Sequence, residues 1–543
     1  MKKTILASAS IVTMAIAAPA FGQAVVPPDC VGATGNCSVV DQTGDDLDAD
    51  IDQTGTGNVS SVDQDGTTLD AIVDQGADSN ISNITQDASG LGAQGFSASV
   101  TQLGGADSVV NQSGAGANNT GLVATVNQSG ASGSDISQTL SNDDADFLTA
   151  TVNQTGDGHS SIITQADIGG GGNDGNLTAT VTQTGSGNAS DVMQLNRDQN
   201  ATVTQSGDGG SSTVFQEGRS NTATLDQSGT GNISEISQDD SGGTGQTATV
   251  TQSGSTNTSL VFQDGRNAGD NDGNNIATVT QEGSNGFATV EQIDQARADT
   301  ATITQGAGTT GADAGIVQTG DPIDGAPDTL NVALIDQTSG ANNFSAIIQG
   351  DTTGFGGTVT GVSNSSATST QTGDNNSSFI IQGGDNQDAE ASQTSSNSDV
   401  VITQGALSGT GGIAFVQQVG TSSSATIEQN STGNTAQTFQ NGTGALNTIF
   451  IDQGFAAGGD GNFAESVQLG EDNLSAIEQN VGVAGGSNDA IVLQEGIGNT
   501  SFITQDGTDN LAEVSQFDGS TSSVGQFGDN NVVSVVQGTP PAP

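Results

Sequence analysis

Gln183-Thr184-Gly185-Ser186-Gly187-Asn188-Ala189-Ser190-Asp191-Val192-Met193-Gln194 is the stretch whose reading decides the fold. It starts and ends on glutamine, and the same beat runs through the chain. Gln42, Gln53, Gln64, Gln75 and Gln86 are evenly spaced, as are Gln183, Gln194, Gln205, Gln216, Gln227 and Gln238. The beat returns at Gln371, Gln382, Gln393 and Gln404 and closes with Gln494, Gln505, Gln516, Gln526 and Gln537. One anchor per unit gives 40 glutamines and 39 intervals, 21 of them 11 residues long. A short, fixed period denotes stacked repeats rather than a single globular core.

Within the unit, side chains alternate. Asn188, Ser190 and Val192 precede Gln194; Asn58, Ser60 and Val62 precede Gln64; Asn221, Ala223 and Leu225 precede Gln227; Asn499, Ser501 and Ile503 precede Gln505. Alternate residues of a strand share a face, so Asn, Ala or Ser, Val/Ile/Leu and Gln point one way. The intervening set is polar: Thr202 and Thr204, Thr302 and Thr304, Asp63. Each unit is therefore a strand with one buried face and one wet face. Gly-x-Gly-Asn turns separate the strands, as in Gln53-Thr54-Gly55-Thr56-Gly57-Asn58 and Gln227-Ser228-Gly229-Thr230-Gly231-Asn232. Glycine supplies the positive φ that such turns require.

So short a strand cannot bury its face alone. Two strands joined by a turn form a rung, and stacked rungs bury a narrow continuous core. A buried amide is costly unless hydrogen-bonded. Identical amides stacked about 4.8 Å apart can bond along the axis. The residues expected to build that ladder include Asn58, Gln64, Gln183, Asn188, Gln194, Gln205, Gln216, Asn221, Gln227, Asn232, Gln238, Asn434, Gln440, Asn499, Gln505, Asn510 and Gln516. The fold class is all-β, a two-sheet β-solenoid of about 20 rungs and about 95 Å at about 4.8 Å per rung.

Composition agrees with a narrow core and excludes several functions. Apolar residues make up 31% and aromatics 3% of 543 residues, with no Trp or Tyr. The first 22 residues carry Lys2 and Lys3, an apolar run from Ile5 to Ala18, and small residues at Ala18, Ala20 and Gly22. This is a secretory signal peptide. Its removal leaves four arginines (Arg197, Arg219, Arg266, Arg297) against 61 acids, 4 − 61 = −57. Such a chain has no basic patch for nucleic acid and attracts cations instead. No later apolar run is long enough to span a membrane. Cys30 and Cys37, an isolated pair in an exported chain, are expected to form a disulfide. The expected divisions are 1–22 signal peptide, 23–35 N-terminal segment, 36–537 repeat solenoid and 538–543 tail.

Gln183-x-Gly185-x-Gly187-Asn188-x-Ser190-x-x-x-Gln194 resembles the curlin repeat, with Ser for the usual Ala. Gln429-Asn430-Ser431-Thr432-Gly433-Asn434-x-Ala436-x-x-x-Gln440 and Gln505-x-Gly507-x-x-Asn510-x-Ala512-x-x-x-Gln516 match nearly as well. The chain is similar to curli-type fibre subunits over about residues 36–537. The resemblance implies inward Gln and Asn that carry fibre assembly, partners that are copies of itself and other curlin-type subunits, and export through an outer-membrane machinery. The chain departs from that family in its many more repeats, its lack of Tyr, its charge and its interrupted spacing. Gln349 to Gln371 spans two periods, as though one strand had lost its anchor, and Pro322 and Pro327 mark a loop insertion.

Other features carry weaker readings. His159, the one histidine, occupies an Asn position six residues before Gln165, which fits packing better than catalysis. No Ser-His-Asp, HExxH or cysteine-metal spacing occurs, so no enzyme is expected. Acidic turns at Asp264-Gly265, Asp272-Gly273 and Asp460-Gly461, and the glycine-rich stretch Gly169–Asn176, suit diffuse Ca²⁺ or other cation binding rather than a dedicated site. No cofactor is expected. Thr178-Ala179-Thr180-Val181-Thr182, Thr202-Val203-Thr204 and Thr302-Ile303-Thr304 resemble the threonine arrays of ice-binding solenoids. Outward Asp63, Phe215, Phe262 and Glu291 break such an array along the chain, so β-branched Thr is taken as a good outward strand residue. The expected function is an extracellular, cell-surface fibre protein for adhesion and biofilm matrix. The alternative is a non-polymerising solenoid adhesin that binds a host or polysaccharide ligand.

Overall fold

The computed structural model describes residues 24, 26–88, 95–114, 121–140, 147–167, 175–240, 245–264, 274–293, 298–319, 330–350, 364–405, 410–442, 446–454, 459–480 and 485–539. The leader, Pro322, Pro327, Gly265, Asp272, Gly273 and most of the glycine-rich stretch (169–174) lie outside them. The chain is a β-solenoid. Each strand pairs in parallel with the strand two arms along, as Asn176–Ser186 with Gln199–Gln205 and Ala189–Arg197 with Ser211–Arg219. Alternate arms thus form two facing columns. The first contains Gln42, Gln64, Gln86 and, at its far end, Gln505 and Gln526; the second contains Gln53, Gln75, Gln102 and, at its far end, Gln516 and Gln537. The 40 anchors divide between two columns, 40 / 2 = 20 in each.

Period-two burial follows the expected pattern, for example in Phe96–Gln102, where Phe96, Ala98, Val100 and Gln102 are all buried. One apolar cluster runs from Val62 to Val524. The columns are not equivalent. Four residues before the anchor, the second column holds Ala at nearly every turn (Ala179, Ala201, Ala223, Ala248), whereas the first holds mostly Ser (Ser161, Ser190, Ser212, Ser234). The sequence motif had treated Ala and Ser as interchangeable. The Asn position also departs from the motif early in the second column. There Leu69, Phe96, Leu122, Leu148 and Leu177 stack into a second apolar cluster.

The turns explain the Gly-x-Gly signature. Gly187 sits at φ +65°, a conformation taken at equivalent turns by Asn375 (+55°) and Asn397 (+59°), the side chains that best tolerate it. Gly185 answers a different demand: a Cβ there would collide with the Gly207 carbonyl one turn on. Connections from the second column back to the first are uniform, with anchors 10 to 13 residues apart. Every spacing of 14 or more, including Gln318–Gln337 and Gln349–Gln371, falls on the opposite edge. The two-period gap is not a lost strand. Gln349 pairs with Gln382 and Gln337 with Gln371, so the columns alternate across it without a skipped arm.

Several inward hydroxyls, among them those of Ser60, Ser82, Ser134 and Ser190 in the first column and Ser466 in the second, have no hydrogen-bond partner in the dry core. Removing an unsatisfied buried hydroxyl relieves a desolvation cost of about 1–3 kcal/mol. Ser190→Ala is therefore expected to be neutral or stabilising, and thermal denaturation followed by circular dichroism checks the direction.

Candidate functional site

The inward glutamines form two continuous ladders. In the second column the Gln183 Nε2 donates to Gln205 Oε1 at 2.7 Å, and Gln205 Nε2 to Gln227 Oε1 at 2.8 Å. In the first, Gln194 Nε2 donates to Gln216 Oε1 and Gln216 Nε2 to Gln238 Oε1, both at 2.8 Å. Gln64, Gln440, Gln505 and Gln516 make the same link to Gln86, Gln468, Gln526 and Gln537. The second N–H of the amide crosses the core: Gln205 Nε2 reaches the Ala189 carbonyl, and Gln216 Nε2 that of Asn200. One side chain thus joins successive turns and both columns.

The asparagines act differently from the expected amide-to-amide ladder. Asn188 Nδ2 donates to the Thr184 and Gly207 carbonyls at 2.9 and 2.7 Å, and its Oδ1 accepts the Gly210 N–H. Asn58, Asn221 and Asn232 likewise hold the carbonyl four residues back. Asn434 reaches Ser431 Oγ and the Gln453 carbonyl. Direct amide pairs occur near both ends, where Asn80 Nδ2 donates to Asn58 Oδ1, Asn499 Nδ2 to Asn473 Oδ1 and Asn510 Nδ2 to Asn488 Oδ1. Asparagine pins turns because its shorter side chain reaches the backbone beside it. His159 does the same work. Its Nε2 lies 3.1 Å from the Thr155 carbonyl, and its Nδ1 accepts the Asn188 N–H, which selects the neutral Nε2–H tautomer. Cys30 and Cys37 are joined in a disulfide that ties the short 3-10 turn Pro28–Cys30 to the first strand.

The outward faces of the two columns differ chemically. On the second, Thr125, Thr151, Thr180, Thr202, Thr224, Thr249, Thr278 and Thr302 stack in register over successive turns. Two residues on runs a parallel row with Thr182, Thr204, Thr251, Thr280 and Thr304, interrupted by Asp226. Asp63, Phe215, Phe262 and Glu291, which break the threonine pattern along the chain, all belong to the first column. The objection from those four residues therefore fails: folding sorts them to the other side and leaves Asp226 as the one charged interruption between Thr182 and Thr304.

The first column's outward face carries a line of carboxylates, half-buried in the main and exposed at Asp313 and Asp399. Burial between neighbouring turns pushes up the pKa of Asp107, Asp135, Asp191, Glu235, Glu291, Asp313 and Asp399. Asp452 is the extreme. It is 9% exposed, its Oδ1 has no hydrogen-bond partner, and Glu428 and Glu478 stack against it from the turns on either side. Burial first, then those two charges, raise its pKa to about 6. Among the described residues, no group of three or more His, Cys, Asp or Glu could hold a metal ion, and no helix is long and apolar enough to cross a membrane.

Two outcomes follow from this geometry. Gln205→Leu strands the Gln183 donor and the Gln227 acceptor, each at about 1–3 kcal/mol, whereas outward Thr204→Ala changes stability by no more than about 0.5 kcal/mol; urea titration of both variants measures the contrast. For Asp452 the folded pKa exceeds the unfolded one. Its stabilisation is therefore complete below the ordinary carboxylate pKa of 3.8 and is lost as pH rises through about 6. The melting temperature should be higher near about pH 5 than near about pH 7, and Asp452→Asn should narrow that difference.

No curated protein matches the chain as a relative. Three segments, residues 44–76, 211–239 and 485–517, match the family model described as the curlin associated repeat. They lie near the start, in the middle and near the end of one uninterrupted pair of columns, and the structure between them repeats the same strand and the same ladder. The chain therefore carries curlin associated repeats at three places along the solenoid.

Proposed function

We propose that this chain is an exported structural protein that polymerises end to end into extracellular, amyloid-type fibres serving cell adhesion and biofilm matrix. The observation that carries this reading is the polarity of the two ends. Every glutamine rung donates from Nε2 toward the C-terminal end, from Gln42 to Gln64 and from Gln53 to Gln75 onward. The N-terminal turn thus presents the Gln42 and Gln53 Oε1 atoms as acceptors. The C-terminal turn presents the Gln526 and Gln537 amides, with Gln526 using one N–H for the Leu511 carbonyl.

The backbone has the same polarity. Among the described residues, Cys37–Gln53 pairs only with Val59–Gln75, and Val532–Gln537 only with Leu511–Phe517. Within the described residues no further strand covers either terminal edge, and an open edge is a template for another chain. Val532, Val536 and Phe527 at the C-terminal end are 72, 67 and 71% exposed. A head-to-tail contact between unlike ends does not close and grows a filament. The leader at residues 1–22 supports export through the secretory pathway, and the family supports other curlin-type subunits and an outer-membrane export machinery as partners. Stacked carboxylates slow addition of each subunit, and diffusely bound Ca²⁺ or other cations relieve that repulsion.

Leu511 donates its N–H forward to the Asn531 carbonyl. By the repeat, Val532, Ser534 and Val536 aim their N–H groups off the end. Ser534→Pro removes one such donor without touching an existing ladder bond. Negative-stain microscopy and dye-binding kinetics should show elongating fibres for the unaltered chain and Ser534→Ala, and strongly slowed growth for Ser534→Pro with an unchanged circular dichroism spectrum. Equal growth of the proline variant rules out assembly through this edge. An unaltered chain that stays monomeric over days favours the solenoid adhesin.

A further inference from the structure

We infer that the outward face of the second column is an ice-binding surface, whose ligand is the ordered water lattice of ice itself. From Ser97, Ser99 and Thr101 to Thr300, Thr302 and Thr304 this face spans nine turns with three outward positions each, 9 × 3 = 27, of which 19 are threonine. The strand pairings across these turns run in register without a bulge. Threonine methyls and hydroxyls therefore recur about every 4.8 Å along the axis and about every 6.7 Å across it, in two directions at once. Both spacings lie close to oxygen repeats of hexagonal ice.

Three properties separate this surface from an ordinary wet strand face. First, it is uncharged apart from Asp226, on a chain of net charge −55. Water around carboxylates is oriented by the charge, whereas water over neutral hydroxyls and methyls is free to adopt a lattice. Second, among the described residues, the threonine hydroxyls of these rows make no hydrogen bond within the protein. They stand as both donors and acceptors toward solvent. Third, the rows are backed by the Gln183–Gln205–Gln227 ladder, and side-chain ladders are what hold a sheet flat against its natural twist. A rigid array meets a crystal without an ordering cost.

The opposite face has none of these properties. Over the same turns it presents Asp135, Asp191, Glu235 and Glu291 among Met193, Phe215 and Phe262. The array also has defined ends, at Ile72 and Asp74 on one side and Leu334 and Asp336 on the other. Adsorption to ice uses the side of the solenoid and polymerisation uses its ends, so the two readings stand or fall separately.

The test is slow freezing of the freshly prepared full chain into polycrystalline ice, with protein measured in ice and in liquid, beside an ice-recrystallisation assay. The unaltered chain should enrich in the ice and arrest recrystallisation, relative to an acidic control protein that is excluded. Thr249→Tyr, in the middle of the array, should cut the enrichment about tenfold. Thr289→Tyr, at the equivalent position of the other column, should leave it unchanged, and both variants should keep the parental circular dichroism spectrum. Asp226→Thr completes the second row and should raise the enrichment. Exclusion of the unaltered chain from ice overturns the inference, as does equal loss in the two tyrosine variants.

Discussion

The fold depends on the double donation of one side-chain amide. An inward glutamine gives one N–H to the glutamine of the next turn and the other to a carbonyl across the core, as Gln205 does with Gln227 and Ala189. A chain with 3% aromatic residues cannot rely on bulk apolar burial. The Ala–Ser–Val core is thin, and each glutamine must be satisfied or it becomes a liability of a few kcal/mol. Stacking satisfies every copy but those at the ends. Stability in such a solenoid is a sum of turn-to-turn terms, and the unsatisfied remainder is concentrated where another copy can meet it.

The ladder also explains why two faces of opposite character persist on one molecule. A face of stacked acids repels itself, and at Asp452, wedged between Glu428 and Glu478, that repulsion adds to the cost of burial. A soft sheet would twist or slip to spread those charges. The ladder forbids slip, because a shift of one residue would turn every glutamine outward. Strain from the acidic face is therefore held in the register rather than released. The threonine face, drawn from alternate arms of the same chain, is ordered by the same constraint.

Much of this was legible before folding was considered. The period of the anchors, the inward set Asn188, Ser190, Val192 and Gln194, the Gly185-x-Gly187 turn and the role of His159 as a stand-in for Asn all follow from alternation and spacing. Less legible was the work of asparagine. Sequence spacing shows that Asn58 and Asn188 face inward, but only side-chain reach decides that they pin turn carbonyls while glutamine bridges turns. The substitution of Leu69, Phe96 and Leu122 for Asn was visible, yet its meaning as a second apolar stack required knowing that these residues are neighbours.

By itself, the sequence determined the strand, its buried face, the stacking and the amide ladder, because each is set by residues within one period of each other. Tertiary structure alone decided which arm stacks on which. Insertions of unequal length separate the arms, and Gln349 to Gln371 looks like two periods while acting as one connection. Parity, and with it the sorting of Ala from Ser, of long connections to one edge and of threonine from carboxylate, is fixed by pairing between strands about two arms apart. That pairing is a property of the closed stack of turns, in which register is enforced by the whole ladder at once.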